Sequence, residues 1–220
     1  MERPFENRKE AGQYMARLLE MYADRTDVVV LGLARGGVPV AYEVACKIHA
    51  PLDVFVVRKL GAPSQPELAM GAIAGGGALV RNEDVIASLG ITDQMIEQVA
   101  QQERRELVRR EKVYRGDRQA VPVKDKTVIL MDDGLATGAS MKVAVMGLKQ
   151  YDPAKIVVAV PVASADACDY FESLVDEAVC AMTPQPLFAI GYWYRDFDQT
   201  TDEQVQQLLR KAEQHSMSHP

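Results

Sequence analysis

The chain has 220 residues, 48% of them hydrophobic and 25% charged, with a formal net charge of −6. That length can bury one sizeable core, or a core with a small appendage, and the acidic balance gives no electrostatic reason to expect nucleic-acid binding. No apolar run approaches the roughly 20 residues of a membrane span, and Met1-Glu2-Arg3-Pro4 leads into a polar helix rather than a signal peptide, so the expected location is the cytoplasm.

The N-terminal pattern predicts an amphipathic helix over 7–22, capped by Asn7 with Glu10 in a capping-box position. Val28 to Leu33 reads as a buried strand. It ends in Ala34-Arg35-Gly36-Gly37-Val38-Pro39, and a helix runs on to about residue 48. A second strand is expected over 53–58. Lys59 to Glu67, with Gly61, Pro63 and Pro66, reads as a mobile loop. Leu68 to Ala74 and Ala78 to Arg81 flank three glycines and predict a hairpin. A helix rich in both charges follows from Thr92 to about Tyr114, suited to solvent or to a subunit contact.

Beyond Pro122 the order is strand 128–131, helix 141–150, strand 156–162, helix 165–174 and strand 178–182. Thr183-Pro184-Gln185-Pro186 breaks the chain before an aromatic segment, 188–197, and a polar helix over 201–214. Alternating strands and helices predict an α/β fold, an open parallel sheet with helices on both faces. No repeat or long linker divides 1–220, which is expected to be a single domain. Cys46, Cys168 and Cys180 are odd in number and contain no CxxC, so reduced, buried thiols are expected. His49, His215 and His219 show no metal-ligand spacing.

The most informative segment is Val128-Ile129-Leu130-Met131-Asp132-Asp133-Gly134-Leu135-Ala136-Thr137-Gly138-Ala139-Ser140. Two acids sit at the carboxyl end of a buried strand, where open α/β sheets bind ligands. The loop after them can surround a phosphate at a helix start. Nearly every position resembles the 5-phosphoribosyl-1-pyrophosphate (PRPP) motif of the type I phosphoribosyltransferases. The resemblance extends to the bacterial group with a long charged helix (here 92–115) before that motif.

The resemblance implies that Asp132 and Asp133 hold ribose hydroxyls and act as the catalytic acids. Ala136, Thr137, Gly138, Ala139 and Ser140 would then hold the 5′-phosphate. Ala34, Arg35, Gly36 and Gly37 match the pyrophosphate loop, with a cis peptide between Ala34 and Arg35. Arg58 and Lys59 sit where basic residues lie near pyrophosphate, and 60–67 corresponds to a catalytic lid. A small hood over the strand ends is expected within 184–220, where Tyr192 or Trp193 either stacks on a nucleobase or packs the C-terminal helix. Mg²⁺ is the implied cofactor, held mainly by PRPP and not by a protein cluster.

These features suggest transfer of phosphoribosyl to a nitrogen nucleophile, a nucleobase, by a protein free of nucleic-acid and membrane partners and capable of homo-oligomerisation. Ala136 stands where 6-oxopurine enzymes of the family carry an acid, which argues against hypoxanthine or guanine as acceptor. The alternatives are a non-catalytic PRPP- or nucleotide-sensing regulator on the same fold and an unrelated Rossmann-like binder. Against the last, GxGxxG is absent after the first strand and GxxxxGK[ST] is absent throughout.

Overall fold

The computed structural model describes residues 4–218. The first half contains α1 (Arg8–Leu18), β1 (Val28–Leu33), α2 (Gly37–Ile48), β2 (Leu52–Phe55), β3 (Val57–Ala62), β4 (Gln65–Ala74), β5 (Leu79–Arg81), α3 (Glu83–Leu89) and α4 (Asp93–Arg115). The second contains β6 (Thr127–Met131), α5 (Ala139–Lys149), β7 (Lys155–Val162), α6 (Ala165–Leu174), β8 (Glu177–Met182) and α7 (Asp202–Ser218). His219 lies outside the described residues.

Five strands form a parallel sheet in the order β2-β1-β6-β7-β8. Their continuous apolar runs follow from burial on both faces. Val28 and Val30 of β1, with Ile129 and Met131 of β6, face α1, α2 and α7. Val29 and Leu31, with Val128 and Leu130, face α5 and α6. The strand period of two thus divides one sheet between two cores.

The expected strand over 53–58 is two strands. β2 stays in the parallel sheet, and β3 departs beyond Val56 into an antiparallel sheet, β3-β4-β5. The segment 59–67, expected as a loop, is mostly strand: Lys59 pairs with Ala72, Leu60 with Gly71 and Ala62 with Gln65. Gly61 serves close approach here, because a Cβ would collide with the Pro66 carbonyl. The tip around Pro63 to Glu67 is exposed, as is Lys59, whereas Leu60 and Ala62 are buried.

α3 was not expected from the sequence. Asn82 caps it, accepting from Val85 N, and Gly90 ends it at φ 60°. The charged α4 is anchored by Arg115, whose Nε lies 3.0 Å from both carboxylate oxygens of buried Asp53 on β2. The expectation of reduced thiols fails for Cys168 and Cys180, which form a disulfide. α6 packs against β8 and brings their Cα atoms to 6.4 Å, a proximity that spacing along the chain does not reveal. Cys46 is a free thiol, its pKa pushed up by burial.

The cover over the strand ends comes from both ends of the chain. Phe5 N donates to Trp193 O at 2.8 Å, and Arg195 N returns to Phe5 O at 2.9 Å. Phe5 and Tyr194 pack with Val162 and Met182, the last residues of β7 and β8. The hood expected within 184–220 therefore separates. Its aromatic part, with Phe5 to Arg8, forms the cover, whereas Val205 and Leu209 of α7 belong to the core beneath α2 and α4.

Candidate active site

β1 and β6 are neighbours, but the chain leaves them on opposite sides. β1 continues through α2 on one face, β6 through α5 on the other. Their carboxyl ends therefore flank a crevice at the switch point where open α/β sheets take ligands.

Two loops meet there. The Ala34–Arg35 peptide at the end of β1 is cis. A Cβ on Gly36 would collide with the Asp133 carboxylate. One on Gly37 would lie 2.5 Å from Met131 O and 2.9 Å from Asp132 Cα. These glycines are therefore required by the acid segment packed against them, in addition to any anion that approaches their backbone.

The two acids differ. Burial pushes the Asp132 carboxyl well above the usual carboxylate range, and the charge of Asp133 pushes in the same direction. Asp132 Oδ1 accepts from Asp133 N at 2.9 Å. Asp133 Oδ2 instead receives Arg8 Nε at 2.8 Å, and Asp133 O receives the Tyr194 hydroxyl at 2.6 Å. Burial also raises the Tyr194 phenol, with Asp133 the next cause.

The loop after the acids is suspended from β7. Leu135 N donates to Val162 O at 2.8 Å, Ser164 N donates to Leu135 O at 2.9 Å, and Ser164 Oγ donates to Ala136 O at 2.9 Å. Gly138 has φ 70°, and a Cβ there would lie 2.6 Å from the Phe171 ring. Ala139 N makes a long 3.5 Å contact with Thr137 Oγ1. Among the described residues the amides of Ala136, Thr137, Gly138 and Ser140 donate to no protein acceptor. With α5 beginning at Ala139, these amides and the helix dipole form a cradle for an anion.

The other expected residues are placed unevenly. Arg58 is held by Glu103 of α4, with Nε at 2.7 Å and Nη2 at 2.6 Å from Oε2. Lys59 is exposed and donates to Glu67 O at 3.1 Å. It shares with Ala139 and Ser140 a cavity of about 580 Å³ between the antiparallel sheet and α5. Arg35 lies 3.4 Å from Asp202 at the start of α7, where the Tyr114 hydroxyl also donates at 3.1 Å. Tyr192 is exposed and Trp193 packs into the cover, and among the described residues neither side chain hydrogen-bonds to the acids. Tyr194 reaches them through its hydroxyl on Asp133 O, with its ring stacked on Phe197 at 4.8 Å. The aromatic run signalled its neighbourhood, but Arg8 had no signal, because Asp133 lies 125 residues away.

The fold and this crevice define an open α/β domain with an acid pair and a loop of unpartnered amides at one switch point. The chain belongs to the phosphoribosyl transferase domain family, whose model matches residues 6–181. It is 43% identical over 208 residues to the "Putative phosphoribosyl transferase Rv0571c" of Mycobacterium tuberculosis, and equally to the MT0597 protein of another strain. Those matches cover 94% of this chain and 47% of each relative, so the chain spans about half the length of the curated relatives it matches. The crystal structure of TT1426 from Thermus thermophilus superposes with a TM-score of 0.80 at 41% identity. That match covers 94% of this chain and 98% of the other.

Proposed function

We propose that the chain transfers the phosphoribosyl group of PRPP to a ring nitrogen of a nucleobase and releases pyrophosphate. The observation that carries this is the meeting of an acid pair and an unpartnered amide loop at one crevice. The amides of 136–140 take the 5′-phosphate. Asp132 and Asp133 accept hydrogen bonds from the ribose hydroxyls. The loop 34–37, with Arg35 and Lys59, lies on the pyrophosphate side, whereas Arg58 can join only by leaving Glu103.

In this reaction the bond from C1′ to the pyrophosphate oxygen breaks and a C1′–N bond forms, with the acceptor nitrogen losing its proton. The ribose is oxocarbenium-like in between, and fixed carboxylates beside it stabilise that charge more than the ground state. A bound Mg²⁺, carried mainly on the oxygens of PRPP, would stabilise the leaving pyrophosphate.

Calorimetry with PRPP and Mg²⁺, paired with pyrophosphate release across a panel of bases with and without chelator, tests this. The expected result is magnesium-dependent PRPP binding and release with at least one base. Binding without release from any base would instead favour a sensor. Failure of the wild-type protein to bind PRPP overturns both readings.

A further inference from the structure

Arg8 is the first residue of α1, and nothing in the expected reaction requires a cation there. Its guanidinium is nevertheless fixed on three sides. Nε donates to Asp133 Oδ2 at 2.8 Å, Nη1 donates to Asp198 O at 2.7 Å, and the plane lies 4.0 Å over the Phe197 ring. The Arg8 and Asp133 side chains are only 13% and 16% exposed, so water screens the pair weakly. A planar fork with two donors and a stacking face can make these contacts together; an ammonium cannot.

The contact leaves the carboxylate divided. Oδ2 is taken by Arg8 and lies on the side of Gly36, which has no side chain to displace it. Oδ1 receives no N–H donor among the described residues, although the Asp132 carboxyl lies within hydrogen-bond reach of the Asp133 carboxyl. We propose that Arg8 is a positioning residue for the sugar site. It fixes the rotamer of Asp133 so that Oδ1 meets a ribose hydroxyl, and it ties that rotamer to the cover through Phe197 and Asp198. This rests on the PRPP reading above. Without the cation, two adjacent carboxylates would also repel each other, and Asp133 would be free to turn from the crevice.

A role limited to attaching α1 to the cover would affect every ligand alike. A role exerted through Asp133 affects only ligands that carry a ribose. The test is therefore calorimetry on the full chain with two probes in Mg²⁺, PRPP and inorganic pyrophosphate, comparing wild type with Arg8→Gln. Arg8→Gln is expected to weaken PRPP binding about tenfold while pyrophosphate binding changes less than twofold. If Arg8→Gln does not fold, Arg8→Lys keeps the charge but cannot span Asp133 and Asp198 together. It is expected to show the same selective loss, at about threefold. Equal losses for both probes, no loss, or tighter PRPP binding would each overturn the positioning role while leaving the PRPP reading intact. Absence of PRPP binding to the wild-type protein would remove the reading and this role with it.

Discussion

Asp53 on β2 and Asp132 beyond β6 belong to the same sheet and have opposite surroundings. Asp53 is enclosed by donors: Arg115 Nε at 3.0 Å from both oxygens, Val54 N at 2.8 Å and Val121 N at 3.0 Å. Asp132 is enclosed with another acid for a neighbour, and the nearby Arg8 pairs with Asp133 instead. The first arrangement satisfies a buried charge and fixes α4 to the sheet. The second leaves a charge poorly satisfied at a crevice, as sites that must bind or stabilise something else do. Donors around an acid mark architecture; a second acid marks a place for a ligand's hydroxyls or cations.

Removing the architectural acid should have the largest effect on folding. Asp53→Ala leaves Arg115 Nε and two amides without their acceptor and the guanidinium without its buried counter-charge, and should cost about 3–5 kcal/mol in urea unfolding. A loss under about 1 kcal/mol would break the comparison.

Gly37→Ala probes how tightly the acid segment is seated. The added methyl meets backbone, Met131 O and Asp132 Cα, so neither can rotate away. The expected cost is about 1–3 kcal/mol of stability, together with at least a tenfold loss of PRPP affinity by calorimetry. Unchanged affinity would show that the acid pair tolerates displacement.

Asp132→Asn should do the opposite of Asp53→Ala. The carboxyl of Asp132 is raised in the folded protein, so the folded state holds its proton more tightly than the unfolded chain does. That stability is fully present below the ordinary value near 4, and is lost as the pH rises through the raised value. An asparagine does not titrate and avoids the loss. Asp132→Asn is expected to gain on the order of 1 kcal/mol at pH 7, about 2–4 °C in Tm. The gain should vanish near pH 3 while pyrophosphate release falls. Destabilisation at pH 7 would show that Asp132 is satisfied after all.

The smallest effect is expected at Glu106 on α4. Hydrogen bonds from Arg109 and Arg110 hold its carboxyl down at about 2, yet the pairs lie on the solvent side of the helix, with Glu106 half-buried and Arg109 exposed. Water and salt screen such pairs, so Glu106→Gln should leave Tm unchanged within error in a thermal melt. A clear drop would mean that the helix surface is covered in solution.

The same contrast explains what could be read from the sequence. The apolar runs 28–33 and 128–131 mark strands buried on both faces, and Asp132-Asp133 with Gly138 lies at one strand's carboxyl end, so the sheet and the position of the acid pair and its loop were legible from local pattern. Gly61 and the prolines of 63–66 are also local, and they misled. They read as flexibility, whereas Gly61 is small because Pro66 crosses it. Arg8, Tyr194 and the Cys168–Cys180 bond depend on which distant segments meet, and no spacing encodes that. For the unexpected α3 a local signal does exist, Asn82 and Gly90 as a cap at each end, but the helix is only seven residues long and lacks a sustained helical period.

The cover over the crevice, in which Phe5 lies between Trp193 and Arg195, has a consequence for synthesis on the ribosome. A nascent chain released as far as Met182 holds every strand of the parallel sheet and the whole acid segment. It lacks Tyr194, Phe197 and Asp198, and Arg8 then has no ring or carbonyl to hold it against Asp133. The scaffold can form early and the site only late, when the C-terminal segment emerges and closes over the N-terminal one. A stalled or truncated chain would thus present a sheet with an open crevice.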